Sequence, residues 1–226
     1  MNWNSYTNSN SLEDNLLSNI GSTLRISIKE NNEALILLSS DLNSLSLYKR
    51  FAEIKKIDWS KVKFGMVDEK WISNDSNENN YHNISNALGK NITDKSYLTP
   101  LVFDFENEQN NILLAKSSNS VFLDEKTIVI LNLETDGQIA SLYPDNDKTE
   151  NAISQIKPNI VEVFSNKQLE KRISHNLKSI LNTKNIILYL KGDDIKVTLE
   201  KAKTELLPIS YILNSISTQL EIYWTK

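Results

Sequence analysis

Cysteine is absent from this chain of 226 residues, which removes disulfides, thiolate nucleophiles and Cys-ligated zinc or iron–sulfur centres from consideration. Histidine is nearly absent as well: His82 and His175 are the only two, too few for a His-rich metal site. Glycine is scarce, at 5 residues, where ordinary chains carry about 7%. Phosphate cradles built from glycine need positive φ and close backbone approach, so few places remain for one, although asparagine can take some left-handed positions instead. No apolar run approaches the ~20 residues of a membrane span. The opening MNWNSYTNSN is polar and uncharged, where a signal peptide would be basic and then apolar. Large single-sign charge is missing too: the net charge is −4, and the lysines are scattered among Asp and Glu, so there is no footprint for nucleic acid. These absences exclude nucleic acid and membrane as partners and point to the cytoplasm.

What is present is a core-forming composition, 39% hydrophobic, with no Pro/Gly/Ser-rich linker, which predicts one domain over residues 1–226. Leu12, Leu16, Leu17, Ile20 and Leu24 recur at helical spacing, with Ser11 as N-cap and Glu13 and Asp14 in the first turn. ALILLSS (34–40) is a short continuous apolar run, as expected of a strand buried on both faces. LSLYKRFAEI (45–54) returns to helical periodicity. Further strands are predicted at VKFGMVD (62–68), KTIVILNL (126–133), NIVEVF (159–164), NIILYLK (185–191) and LEIYW (220–224), and helices at NISNALGKN (83–91) and VTLEKAKTELL (197–207). This alternation predicts an α/β fold, a three-layer α/β/α arrangement with a mostly parallel, Rossmann-like sheet and helices on both faces. Such sheets bind ligands outside the carboxyl ends of their strands. Three strand-end loops therefore stand out: SSDLNS (39–44), the Asn-rich DEKWISNDSNENN (68–80) and LETDGQ (133–138).

Read in order, these loops carry a pattern. LLSSDLNSLSLYKRFAE stands where a strand, a Ser-Gly-Gly-Ser-Thr-Pro loop and a helix would be, with Ser39 kept and the paired glycines replaced by Ser40 and Asp41. DEKWI keeps Asp68, Glu69 and Trp71 of an Asp-Glu-Arg-Trp motif, with Lys70 for the arginine, and Asn80 keeps half of a Ser-Asn pair. ETDGQIASLYP keeps Asp136, Gly137, Ala140, Ser141, Leu142 and Pro144 of Gly-Glu-Asp-Gly-His-Thr-Ala-Ser-Leu-Phe-Pro, with Gln138 in the histidine's place. KRISHNL keeps Arg172 and Ile173, and KGDDIK offers Lys196 one residue late for a Gly-x-x-Lys. In this series, from about residue 33 to the C-terminus, the chain resembles the 6-phosphogluconolactonase family, within the superfamily that includes glucosamine-6-phosphate deaminases and ribose-5-phosphate isomerases. The Ala-Ser-Leu-Tyr-Pro ending is similar to the lactonase branch.

The resemblance implies hydrolysis of 6-phosphoglucono-δ-lactone to 6-phosphogluconate in the pentose-phosphate pathway, a small-molecule sugar phosphate as partner, no metal or organic cofactor, and a monomer or weak homodimer. It implies catalytic roles at Gln138, Asp136 and Lys70, to which His82 is added as the substitute base the sequence itself offers, and substrate binding by Ser39, Ser40, Asp68, Asn80, Gly137, Arg172 and Lys196. Opening the lactone needs a base for water, donors for the oxyanion and an anion site that orients the ring. Gln138 cannot be the base, because its amide does not titrate near neutral pH; it can orient a water. His82 is the nearby substitute, and Asp136 in an Asp-Gly turn caps backbone N–H groups more readily than it reacts. Asp68 and Glu69 are expected to brace the site. Two readings stay open: a divergent lactonase, and a non-catalytic relative that binds a sugar phosphate or a partner protein.

Overall fold

The computed structural model describes residues 2–144, 146–165, 170–215 and 219–226. Its strands are β1 (Asn2–Tyr6), β2 (Ala34–Leu38), β3 (Val62–Met66), β4 (Asp68–Lys70), β5 (Tyr97–Thr99), β6 (Lys126–Leu131), β7 (Ile160–Ser165), β8 (Glu170–His175), β9 (Thr183–Lys191) and β10 (Gln219–Thr225). Its helices are α1 (Ser9–Asn31), α2 (Leu42–Lys49), α3 (Asn80–Leu88), α4 (Lys90–Thr93), α5 (Glu108–Ser118), α6 (Asp147–Ser154), α7 (Leu177–Leu181), α8 (Asp193–Lys201) and α9 (Pro208–Leu213).

Seven strands form one parallel sheet in the order β1-β10-β9-β6-β2-β3-β5. The apolar runs are central strands because both of their faces are covered. In β2, Ile36 and Leu38 join one core cluster and Leu35 and Leu37 the other, the two-residue alternation of a pleated strand. The first cluster is completed by Leu12, Leu16, Ile20 and Leu24 of α1 and by Ile84 and Leu88 of α3. The second takes Ala152 of α6, Ile195 and Leu199 of α8, and Ile209 and Ile212 of α9. Helices thus lie on both faces of a parallel sheet.

Local signals explain several boundaries. Helix α1 begins earlier than its apolar stripe suggests: Asn8, not Ser11, is the N-cap, its side chain accepting from Ser11 N at 2.9 Å. The helix ends at Asn32, which adopts the left-handed conformation at φ 61° and bonds back to Ile28 O, a C-terminal stop that asparagine tolerates. Helix α2 starts at Leu42 because Asp41 caps it, accepting from Ser44 N at 2.6 Å. A single 3-10 turn at Phe51–Glu53 follows. Helix α8 occupies Asp193–Lys201, and Pro208 opens the separate α9, as a proline suited to the first turn does.

The predicted strand 62–68 is two strands. The chain leaves the main sheet at Val67, whose N–H donates to Leu38 O of β2 and whose carbonyl accepts from His175 N of β8, both at 2.9 Å. Asp68 then opens β4 in a second, antiparallel sheet of order β4-β8-β7. Residues 159–164 belong to that smaller sheet rather than to the parallel one. Residues 171–177, periodic like an amphipathic segment, run through β8 into α7. Val67 therefore hangs the small sheet over the carboxyl ends of β2, β3 and β6. No helix among the described residues is long and apolar enough to cross a membrane.

Candidate functional site

Strands β2 and β6 are neighbours in the sheet, yet the chain visits β3 and β5 on one side of them before returning to β6 and continuing to β9 on the other. That reversal leaves a crevice at the carboxyl ends of these strands. A cavity of about 270 Å³ lies there, walled by Ser40 after β2, Asn132, Glu134 and Asp136 after β6, Asp68 and Lys70 of β4, and Arg172 of β8.

Two consecutive turns shape its wall. In the first, Gly137 N donates to Glu134 O at 3.0 Å, Glu134 N to Gln138 O at 3.1 Å, and Gln138 N to the Asp136 carboxylate at 3.0 Å. Position 137 requires glycine twice over: φ is +85°, and a Cβ would stand 2.7 Å from Leu207 Cδ1. In the second, Ile139 and Leu142 exchange backbone hydrogen bonds across Ala140 and Ser141, whose φ angles are 53° and 56°. Both central residues of this tight turn have positive φ, as a type I′ turn demands, without the usual Asn-Gly. An L-residue held there costs about 1–2 kcal/mol. The surroundings hold it: Ser174 Oγ of β8 donates to Ala140 O at 2.7 Å.

The strained turn points the Ser141 hydroxyl at the centre of a buried polar network. Ser141 Oγ donates to the Asp68 carboxylate in a very short contact and accepts from Arg172 Nε at 2.6 Å. Arg172 Nη2 donates to Asp68 at 2.9 Å and Nη1 to Glu170 at 2.9 Å. Burial alone would push the guanidinium pKa down; the facing Asp68 carboxylate reverses that and holds it above its ordinary value. Lys70 lies between Glu78 at 3.1 Å and Glu170 at 3.2 Å. Tyr143 also lines the cavity, and burial raises its phenol pKa.

Behind this network Glu69 is fully buried. It accepts from the backbone N–H of Lys70 at 2.7 Å, Asn80 at 2.9 Å and Tyr81 at 2.8 Å. Asn80 Nδ2 donates to Asp68 O at 3.1 Å. The carboxylate therefore closes the 70–80 loop onto the first turn of α3, where helix N–H groups favour a negative charge. Burial nevertheless raises its pKa to about 7.

Of the residues singled out in the sequence, Gln138, Asp136, Lys70, Ser40, Asp68, Asn80 and Arg172 converge on the cavity. Ser39 lies beneath it, its hydroxyl donating to Ile130 O and accepting from Asn132 N. Gly137 shapes the first turn. His82 is in the first turn of α3, with its backbone N–H donating to Asn79 Oδ1 at 3.0 Å, and does not line the cavity. Lys196 does not either: its ammonium sits 3.7 Å from the centre of the Trp224 ring on α8's side of the sheet, a cation–π contact that occupies it. His175 is fully buried, with Nδ1 2.8 Å from Ser179 Oγ, and burial first, then the charge of Lys126, lowers its pKa to about 3.

Sequence reasoning passed over Ser141, which stood in a matched motif without a role, and Glu170, two residues before Arg172. It also missed Asn132, whose only signal is its place just after the most strongly apolar strand. Among the described residues no group of three or more His, Asp or Glu could hold a metal ion. The cavity is lined chiefly by hydroxyl, amide and charged groups, which suits a small polyhydroxylated ligand and offers carboxylates, but no imidazole, as proton acceptors.

Residues 7–224 match the model of the family described as glucosamine-6-phosphate isomerases/6-phosphogluconolactonase. The 6-phosphogluconolactonase of Rhizobium meliloti is 22% identical over 224 residues, covering 97% of this chain and 96% of its own. That of Helicobacter pylori is 26% identical over 203 residues, covering 88% and 87%. The crystal structure of a 6-phosphogluconolactonase from Shewanella baltica superposes with a TM-score of 0.92 at 24% identity, covering 100% of this chain and 98% of that one, which establishes the fold. With the match running almost end to end, the chain belongs to the glucosamine-6-phosphate isomerase/6-phosphogluconolactonase family.

Proposed function

We propose that this protein is a sugar-lactone hydrolase of the 6-phosphogluconolactonase kind, acting in the cavity above β2, β3 and β6. The observation that carries the reading is the convergence of Gln138, Ser40, Asp68 and Arg172 on one polar crevice at the carboxyl ends of these strands. The names of the relatives support the choice of reaction. Water adds to the lactone carbonyl, the ring C–O bond breaks, and the proton lost by water ends on the freed ring hydroxyl. Gln138 stands where the family resemblance places a histidine, so it orients the water through its amide without taking the proton. The rate enhancement then comes from positioning and from N–H donors facing the developing oxyanion. Such a lactone is an activated ester, so modest catalysis suffices.

One observation favours a second reading, a non-catalytic relative: no imidazole lines the cavity. Lactone opening, corrected for the spontaneous reaction, separates the two when 6-phosphoglucono-δ-lactone and glucono-δ-lactone are each offered to the wild type and to Gln138→His. The proposal expects the wild type to exceed the spontaneous rate with at least one lactone. A general base contributes about 10²–10⁴-fold, so the variant should gain on the order of 10². Activity in the variant alone would favour the second reading; silence in both proteins would overturn the lactonase assignment.

A further inference from the structure

We propose that Ser141 is a positioning residue of this site, fixing the plane of the Arg172 guanidinium so that its other N–H groups are held in a set direction at the cavity wall. That Arg172 then acts on the lactone carbonyl rests on the lactonase reading; that Ser141 holds it rests on the contacts alone.

A guanidinium is a rigid planar fork with five N–H groups. In Arg172, Nη1 donates to Glu170 and Nη2 to Asp68, both at 2.9 Å. Those two contacts leave the plane free to tilt about the line that joins the two nitrogens. The third, from Nε to Ser141 Oγ at 2.6 Å, removes that freedom. An arginine facing a carboxylate commonly sets two parallel N–H groups on its two oxygens. Here Ser141 takes the Nε–H in the carboxylate's stead and donates its own O–H to Asp68 Oδ2, the same oxygen that Nη2 meets. These contacts employ three of the five N–H groups. The other two, one on each Nη, lie in the plane so fixed, on a side chain that lines the cavity.

The hydroxyl is placed at a cost. Ser141 is 1% exposed and adopts φ 56°, a conformation that glycine takes without strain. Strand β8 grips the turn at two points with residues of one face, 172 and 174. Ser174 Oγ donates to Ala140 O at 2.7 Å, and Arg172 Nε donates to Ser141 Oγ. The turn is thus held in a form its residues disfavour, and what that form delivers is one hydroxyl to one nitrogen. In the lactonase reading the two N–H groups on Nη1 and Nη2 meet the oxyanion, whose charge develops only in the transition state. Ser141 should therefore govern kcat more than KM.

The test uses Ser141→Ala and Ser141→Gly, which both lack the hydroxyl but differ in turn strain. The chain has three arginines, Arg25, Arg50 and Arg172, so their Nε–H signals in ¹⁵N-edited NMR spectra can be assigned by substitution. The Arg172 Nε–H should exchange with water at least tenfold faster in both variants than in wild type. With 6-phosphoglucono-δ-lactone, kcat should fall at least tenfold in both while KM stays within about threefold, even though Ser141→Gly melts at a higher temperature than Ser141→Ala. Unchanged exchange, an unchanged kcat, a kcat that follows the melting temperature, or a loss confined to KM would each overturn the proposal. A wild type that does not exceed the spontaneous opening of either 6-phosphoglucono-δ-lactone or glucono-δ-lactone defeats the lactonase reading instead, and the exchange rates then decide whether Ser141 holds Arg172.

Discussion

Removing Arg172 should cost this protein more stability than any surface ion pair can supply. Its side chain is 10% exposed and that of Asp68 9%, so Arg172→Ala leaves a buried carboxylate facing a void, with the Ser141 hydroxyl the one donor left to it among the described residues. Breaking a buried pair from one side costs about 3–5 kcal/mol. The contact to Glu170, whose side chain is 22% exposed, adds about 1 kcal/mol or less. For a chain of this size each kcal/mol moves Tm by about 2–4 °C, so a total loss of about 3–6 kcal/mol should lower the midpoint by about 6–24 °C in a thermal melt followed by circular dichroism. Because the cost is chiefly a stranded charge, Asp68→Ala made in the Arg172→Ala background should recover part of it, with a coupling of about 2 kcal/mol in urea titrations. The exposed Lys63–Glu33 pair, at 2.8 Å with both side chains more than 40% exposed, is the control: Lys63→Ala should change stability by less than about 1 kcal/mol. A loss below about 1 kcal/mol for Arg172→Ala, or additivity in the cycle, would refute the network's structural role.

Lys126 gives a pH prediction of definite sign. It is fully buried, its Nζ donating to Phe122 O at 2.8 Å and Asp124 O at 3.0 Å, and burial lowers its pKa to about 7. The native state then binds fewer protons than the unfolded chain between pH about 7 and about 10.4, so stability should rise with pH through that window and the full penalty apply below it. Lys126→Met should flatten the rise in Tm between pH 7 and 10; an unchanged slope would exclude Lys126 as its source. Gly137→Ala should destabilise by about 1–3 kcal/mol, since it combines left-handed strain with overlap against Leu207, and urea titration will show it. Ala140→Gly, at φ 53°, should do the reverse and stabilise by up to about 1 kcal/mol; a loss of that size would mean the turn is not strained.

The parallel sheet was legible because burial on both faces leaves a mark that survives divergence: ALILL of β2 and KTIVIL of β6 are buried at every position. The amphipathic stripe of α1 is legible for a related reason, one face against the core. Strand β1 left no such mark, since NWNSY lies at the sheet edge with most of its residues exposed or half-buried. Strand β8 is hidden by Glu170, Lys171 and Arg172, charges that sit in a strand with counterions from other elements, Lys70, Glu108 and Asp68 respectively. The cavity's position followed from the rule for strand ends, and its turn from Asp136-Gly137. Its ion pairing did not, because Asp68 and Arg172 are 104 residues apart in sequence, and nothing local records which carboxylate will meet which cation. The use of Ala140 and Ser141 at positive φ runs against their own preferences, so that turn shows only in the folded structure.

The pairing of β1 with β10 has a consequence for how the molecule is made. Asn4 donates to Ile222 O across a separation of 218 residues, and β10 is the sheet partner of β1 on its paired side as well as of β9 on the other. On a ribosome β1 lacks this partner until β10 has been synthesised. Contacts so distant in sequence form late and slow folding, and until they form the edge of β9 is open to other chains. The seven residues of β10 thus act as a latch, and the interval between the synthesis of β1 and that of β10 is when the nascent sheet is most exposed to aggregation.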